Sequence, residues 1–243
     1  MKKVGGKWNK VRRSVYPFEK ILGHYQVKVA KECCKGNSLL DLGCGEGVIT
    51  AKFRKNFKRI VGVDGTASQI SLAKSKYKGI EFVHCNIEEF ETEERFDCVL
   101  LLFILEHVDN PHQLIKIAKK FVKKGGFIHI HIPNANSLNR RLGKIMGLLK
   151  HESELHEHDI DSGHKRMFDL KSLIQLVKSN NLQILQSGGL FLKAHPNHQM
   201  QILYDSNMWE SESVKKRYFD ALFEMGKQIP EYSSTIYVHC RKN

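Results

Sequence analysis

Apolar residues follow two alternating patterns along the chain. Short apolar runs, typical of buried strands, occupy residues 39–42, 59–64, 80–87, 96–103, 127–133, 182–192 and 234–240. Between them, apolar residues recur at helical spacing and predict helices at residues 16–34, 48–55, 67–77, 111–124, 136–150, 169–178 and 205–227. This alternation predicts an α/β fold: a doubly wound, mostly parallel sheet of seven strands with helices on both faces.

The alternation also predicts how the chain is organised. A chain of 243 residues is long enough for one sizeable core, so we expect a single domain, 1–243. Residues 1–35 are expected to form N-terminal cap helices, and residues 36–133 carry the regular strand and helix repeat of a ligand-binding core. The alternation stops over residues 134–168, which predicts a helical insertion for substrate recognition, and residues 169–243 complete the sheet.

The glycine-rich segment after the first predicted strand is the first candidate site. Asp41, Gly43, Gly45 and Gly47 form the pattern D-x-G-x-G-x-G. Glycine permits backbone angles that other residues avoid, so a ligand can lie directly on the chain there. A dinucleotide-binding turn would have glycine at position 48, where this chain has Val48. The segment therefore predicts a nucleotide-like ligand other than a dinucleotide.

This pattern resembles motif I of the class I S-adenosylmethionine-dependent methyltransferases, which have a Rossmann-like fold. In that family an acid at the end of the second strand holds the ribose hydroxyls, and Asp64 stands there; Asn86 stands where the family usually has Asp beside the adenine. The segment L-E-H-V-x-x-P, residues 105–111, is similar to methyltransferases of the ubiquinone-biosynthesis O-methyltransferase type. The resemblance implies S-adenosyl-L-methionine as cofactor and S-adenosyl-L-homocysteine as product. The implied cofactor-binding residues are Asp41, Gly43, Cys44, Gly45, Asp64, Gly65, Thr66, Asn86, Ile87 and Leu102.

Histidines are the candidate catalytic residues, because an O-methyl transfer must remove a hydroxyl proton and imidazole titrates near neutral pH. His107 follows the fourth predicted strand, and His164 lies in a segment similar to the H-D-x-x-x-G-H-x-R-x-F/Y pattern of a methyltransferase subgroup. A structural imidazole at a helix start is the alternative for His107. Some relatives hold a divalent cation with E-x-x-E-H, but Phe103 replaces the first Glu here. We therefore predict no metal site.

Four residues are candidates for binding the acceptor: His131, Asn134, Arg166 and Lys193. His131 ends the fifth predicted strand, although a buried core histidine is the alternative. Arg166 and Lys193 are cations that suit a phosphate or carboxylate, with ordinary surface charge as the alternative.

Composition adds three expectations. Lys and Arg total 39 against 26 Asp and Glu, so the formal net charge of +13 favours acidic partners, although a solvated lysine-rich face is the more common reason for such a charge. A basic cluster surrounds Trp8 within residues 7–13 and suits an RNA-contacting arm or a lid. Six cysteines without a C-x-x-C pair, and no apolar stretch of membrane-spanning length, predict a cytoplasmic protein that does not insert into membranes.

The favoured function is methyl transfer to an oxygen of a small acceptor, anionic or containing phosphate or sugar, as in surface-polysaccharide assembly. An RNA methyltransferase is the main alternative, although a nucleic-acid partner is disfavoured because aromatic and basic residues are not interleaved beyond the arm. A nicotinamide-dependent oxidoreductase and a catalytically silent cofactor-binding protein are the others. The sequence leaves the oligomeric state open.

Overall fold

Seven strands form one sheet in a computed structural model that describes residues 17–243. The basic cluster at residues 7–13 lies outside the described residues. The strands are β1 Ser38–Leu42, β2 Arg59–Asp64, β3 Glu81–His84, β4 Phe96–Leu102, β5 Val122–Pro133, β6 Gln183–Leu190 and β7 Thr235–Arg241. The helices are α1 Pro17–Cys33, α2 Ala67–Lys76, α3 Pro111–Phe121, α4 Leu138–Ile145, α5 Glu157–Asp161, α6 Leu170–Ser179, α7 Asn197–Asp205 and α8 Glu212–Gln228.

The strand order is β3-β2-β1-β4-β5-β7-β6. Strands β1 to β5 are parallel to one another, whereas β7 runs antiparallel to both β5 and β6. The prediction of a doubly wound, mostly parallel seven-stranded sheet is confirmed. The chain passes from β1 to β2 on one side and returns to place β4 on the other side. Ligands of such sheets bind beside this reversal, at the carboxyl ends of the strands.

Both faces of the sheet are buried at β1, β2 and β4, which explains why these strands are mostly apolar. Leu40, Val99 and Ile130 lie in the core that includes residues of α3 and α6. Leu39 and Leu100 pack on the opposite face. Because side chains alternate along a strand, each parallel strand contributes to both cores.

An aromatic cluster joins α1 to the C-terminal part of the chain. Phe18 and Tyr25 of α1 pack with Phe191, which follows β6, and with Phe219 and Phe223 of α8. The Tyr25 and Phe223 rings are stacked with their centroids 4.6 Å apart. These contacts hold α1 against the antiparallel side of the sheet. Within residues 17–243, no helix combines the length and the apolar character needed to cross a membrane.

The predicted helix at residues 48–55 does not form. Its place is taken by turns and a short 3₁₀ helix, Thr50–Phe53. Gly47 has φ +73°, so the irregular backbone of the glycine segment extends to the residue directly before the predicted helix, and turns follow at residues 48 and 49. Thr50 donates its hydroxyl hydrogen bond to Asp41, which further ties this segment to β1.

Three other predicted boundaries are corrected. Strand β5 begins at Val122 instead of residue 127, because Val122 pairs with Phe96 of β4. The helix predicted at 136–150 is limited to α4, whose residues are all at least partly exposed, so packing does not extend it. The stretch 205–227 is divided between the end of α7 and a separate α8, because the Ser211 hydroxyl accepts from the Val214 amide and starts a new helix.

We expect Gly47→Ala to lower the free energy of unfolding by about 2 to 4 kcal/mol. Alanine would have to adopt the left-handed backbone conformation at φ +73°, and its Cβ would lie 2.6 Å from the Phe82 ring. Urea denaturation measures the change. Gly23→Ala is the matched control: its Cβ meets nothing within 4 Å, and within α1 it should stabilise by about 0.5 to 1 kcal/mol. Equal effects of the two variants would contradict this account of the glycine segment.

Candidate functional site

The glycine turn lies at the carboxyl end of β1, beside the reversal in strand order. Gly43 has φ +85° and Gly45 has φ +54°. The Gly43 amide donates to the Val63 carbonyl at 2.8 Å, which fastens the turn to the end of β2. A Cβ on Gly43 would lie 3.0 Å from Ile104, which follows β4. The segment after β4 therefore packs directly against the turn.

Asp64 connects the glycine turn to the segment after β2. Its Oδ2 accepts from the Gly45 amide at 3.0 Å, and its Oδ1 accepts from the Thr66 amide at 2.8 Å. A carboxylate offers about four acceptor positions. Two therefore remain for the hydroxyl groups of a ligand, and the two amides hold the carboxylate in a fixed orientation.

Asp41 lies beneath the turn and is buried. Burial raises the pKa of Asp41 to about 6, although the hydrogen bond from Thr50 opposes the shift. This carboxyl group holds the Thr50 hydroxyl, beyond the glycine turn.

The other predicted cofactor residues lie at or just after the carboxyl ends of β1 to β4. Cys44, Ile87 and Leu102 are buried and apolar. Asn86 is exposed and donates to Glu89 at 3.2 Å. The Asn86 Oδ1 lies 2.8 Å from the position a Gly65 Cβ would occupy, so Gly65 permits this close approach.

Glu106, His107 and His164 meet beside the turn. Glu106 is 1% exposed, and neither of its carboxylate oxygens has a hydrogen-bond partner. Burial raises the pKa of Glu106 to about 7. Burial, together with the neighbouring His164, lowers the pKa of His107 to about 4, so His107 is neutral near pH 7. The rings of His107 and His164 have their centroids 4.9 Å apart.

A carboxylate orients His164. Asp159 Oδ1 lies 3.5 Å from His164 Nδ1, and Asp159 Oδ2 accepts from Arg140 Nη1 at 2.9 Å. Although burial opposes ionisation, hydrogen bonds from His164 and Arg140 hold the pKa of Asp159 well below its usual range. Sequence reasoning missed Asp159 as a site residue, although it is the acid in the H-D-x-x-x-G-H pattern.

The prediction of no metal depended on Phe103 at the first acidic position of E-x-x-E-H. The fold brings a third donor from elsewhere, because one ligand atom each of Glu106, His107 and His164 lies within 4.8 Å of the others. The two buried, unpartnered oxygens of Glu106 make this donor set fit a divalent cation. Such an ion would polarise an acceptor oxygen, as the alternative to a metal-free site in which an imidazole of the cluster takes the hydroxyl proton.

Comparison with known proteins identifies the family. A family model described as a methyltransferase domain matches residues 20–187. The chain belongs to the class I S-adenosylmethionine-dependent methyltransferases. The predicted family and cofactor are thereby confirmed, and the family is that of methyltransferases instead of nicotinamide-dependent oxidoreductases.

Curated relatives of this methyltransferase are named as O-methyltransferases. The mitochondrial ubiquinone biosynthesis O-methyltransferase of Dictyostelium discoideum is 31% identical over 187 residues, 68% of this chain and 57% of the relative. The ubiquinone biosynthesis O-methyltransferase of Pelagibacter ubique (strain HTCC1062) is 28% identical over 182 residues, 72% of this chain and 73% of the relative. The chain thus spans little more than half of the Dictyostelium relative's length.

Solved structures confirm the fold. The N-methyltransferase NodS from Bradyrhizobium japonicum WM9, in complex with S-adenosyl-L-homocysteine, aligns with a TM-score of 0.57 at 13% identity, covering 94% of this chain and 89% of NodS. The plantazolicin methyltransferase BpumL aligns with a TM-score of 0.59 at 17% identity, covering 93% of this chain and 86% of that one. At these identities the likeness concerns the fold alone.

Two predicted acceptor-binding residues of this methyltransferase are buried structural residues instead. His131 is 0% exposed, and its Nε2 lies 2.7 Å from His129 Nε2. Asn134 is 1% exposed; its amide donates to the carbonyls of Glu231 and Ser233 at 2.9 and 2.8 Å. Neither side chain can contact an acceptor in this conformation, because neighbouring protein atoms cover both.

The two predicted anion-binding cations are also engaged by the protein. Arg166 donates to the Val108 carbonyl and, at 3.0 Å, to the Asp109 carbonyl, so it fastens its own segment to the residues after β4. Lys193 donates to Asn197. Burial lowers the pKa of Lys193 to about 8, against the opposing charge of Glu19. The sequence could not reveal these contacts, since each joins residues from different elements or depends on burial.

We expect Lys193→Met to increase stability near neutral pH by about 1 to 2 kcal/mol, because it removes a half-buried ammonium group. The folded-state pKa of about 8 lies below the ordinary 10.5, so the unfolded chain binds more protons between these values. Stability of the parent chain should therefore rise with pH across that window, and the variant should lack that rise. Thermal unfolding at several pH values measures both effects. A less stable variant would show that the ammonium group is net stabilising.

Proposed function

We propose that this methyltransferase moves the methyl group of S-adenosylmethionine to a hydroxyl oxygen of a small-molecule acceptor. The observation that carries the proposal is the meeting of Glu106, His107 and His164 beside the glycine turn. Hydroxyl acceptors need a group that takes their proton, and this cluster supplies imidazole nitrogens at the carboxyl edge of the sheet.

The reaction needs little covalent chemistry from the protein. The acceptor oxygen forms a bond to the methyl carbon while the carbon–sulfur bond breaks, and the electron pair stays on sulfur in S-adenosylhomocysteine. Asp64 and the glycine turn would hold the cofactor so that the methyl group faces the acceptor. Since Nδ1 of His164 is directed at Asp159, its Nε2 is the nitrogen that would take the hydroxyl proton.

An aromatic hydroxyl is the acceptor class that we propose first. The relatives are named as O-methyltransferases of ubiquinone biosynthesis, and both cations proposed for phosphate recognition, Arg166 and Lys193, already bind protein atoms. The net charge of +13 supports an anionic or sugar-containing acceptor as the second class.

The test is transfer of radiolabelled methyl groups by the full chain. The acceptors are a catechol such as protocatechuate, a hexose phosphate and mixed tRNA, each with magnesium and with a chelator. We expect label in the catechol. Label confined to the hexose phosphate or tRNA would overturn the aromatic class. Binding of S-adenosylhomocysteine by calorimetry without transfer to any acceptor would support the catalytically silent alternative.

A further inference from the structure

A second cluster of metal-ligating side chains lies away from the cofactor crevice. His129 of β5 and His239 of β7 are direct partners in the antiparallel ladder. Cys33 is the last residue of α1. One ligand atom each of Cys33, His129 and His239 lies within 4.8 Å of the other two. The cluster therefore joins the end of one helix to the middle of two strands.

The histidines of this cluster have hydrogen-bonding groups that the described part of the chain leaves unused. Nδ1 of His129, of His239 and of the neighbouring His131 is buried without a hydrogen-bond partner. Leaving a buried polar atom unpaired costs about 1 to 3 kcal/mol. The His129–His131 contact uses only the Nε2 atoms. Three such atoms within one small region of the core indicate that a ligand is part of the site.

The donor types indicate which ligand. One thiolate and two imidazoles are a soft, mixed sulfur and nitrogen set, which suits zinc and disfavours magnesium or calcium. Zinc bonds of about 2.0 to 2.3 Å place ligand atoms roughly 3 to 4 Å apart, so donors already within 4.8 Å need to move by only about an ångström. Cys33 is half-buried, which gives the ion a route from solvent.

We propose that Cys33, His129 and His239 bind one zinc ion that fastens α1 to β5 and β7. His131 or water would complete the tetrahedron. The Cys33 thiol donates to Gln186 Oε1 at 3.5 Å, and the Gln186 amide donates to the Tyr237 hydroxyl at 2.8 Å; zinc binding would replace this thiol hydrogen bond. The site lies under α1, separate from the Glu106 cluster, and its role is structural.

The test uses the full chain, freed of metal with a chelator and titrated with zinc chloride against a chromophoric chelator. We expect one equivalent of zinc, and cobalt in its place should show the charge-transfer band of a thiolate bond. Cys33→Ser should weaken zinc binding by at least about a hundredfold and remove that band, since second-shell changes alone cost 10- to 100-fold. Cys85→Ser is the matched control, because Cys85 is also free and half-buried and lies outside the cluster.

Circular dichroism checks that each variant is folded. A second measurement in the unmutated chain needs no variant: zinc should protect Cys33 from alkylation while Cys85 keeps its reactivity, as peptide mass spectrometry reports. The proposal is overturned if the unmutated chain binds no stoichiometric zinc, if Cys33→Ser binds zinc as tightly as the parent, or if only Glu106→Gln abolishes binding. The last outcome would assign the ion to the other cluster.

Discussion

Asp64→Ala is expected to weaken binding of S-adenosylhomocysteine by about a hundredfold or more, and calorimetry measures the change in affinity. The substitution removes the carboxylate that we propose accepts from two ribose hydroxyls, and charge-assisted hydrogen bonds contribute about 1.5 to 3 kcal/mol each. It also leaves the amides of Gly45 and Thr66 without their carboxylate partner, so the turn loses its fixed shape.

Asp97→Ala is the matched control for Asp64→Ala. Asp97 also accepts from two backbone amides, those of Asn37 and Ser38, but it lies at the opposite edge of the sheet, where β1 and β4 begin. We expect this variant to lose stability and to keep its cofactor affinity. If Asp64→Ala bound S-adenosylhomocysteine as the parent does, the proposed cofactor site would be wrong.

The second large effect is expected for His164→Asn, which should lower kcat by about 10² to 10⁴-fold because the acceptor proton loses its receiving group. Affinity for S-adenosylhomocysteine should be unchanged, since His164 belongs to the acceptor side. The measurement is steady-state methyl transfer to the acceptor that the radiolabel assay identifies.

Two further variants show whether the loss of kcat in His164→Asn is specific to that residue. His151→Asn changes an exposed histidine of the same insertion and should leave kcat unchanged. Asp159→Asn should lower kcat less than His164→Asn, because Asp159 acts through the orientation of His164. A normal kcat in folded His164→Asn protein would remove this residue from the proposed mechanism.

The cofactor half of the molecule was predictable because its determinants are local. Gly43 and Gly45 follow β1 directly, and Asp64 ends β2. Parallel strands bring their carboxyl ends to one edge, so the order of motifs along the chain predicts their neighbourhood in space. The 3₁₀ segment Thr50–Phe53 was wrongly predicted as an α-helix because helical spacing does not report that the irregular turn extends through Gly47.

The acceptor half was harder because burial decides the role of a polar residue there. His131 has the same place in the sequence pattern whether it faces a ligand or the protein core, and in the structure its ring packs near those of Phe103, His129 and Tyr237. Arg166 and Lys193 read as free cations until the contacts with Asp109 and Asn197 are known.

By itself, the sequence determined the α/β class, the family and the turn and carboxylate proposed to hold the cofactor, since strand periodicity and short motifs depend on neighbours along the chain. Only the tertiary structure decided that His164 joins Glu106 and His107, and that Cys33 meets His129 and His239. The physical reason is that these groups come from elements far apart in sequence, and only packing brings their ligand atoms within a few ångströms.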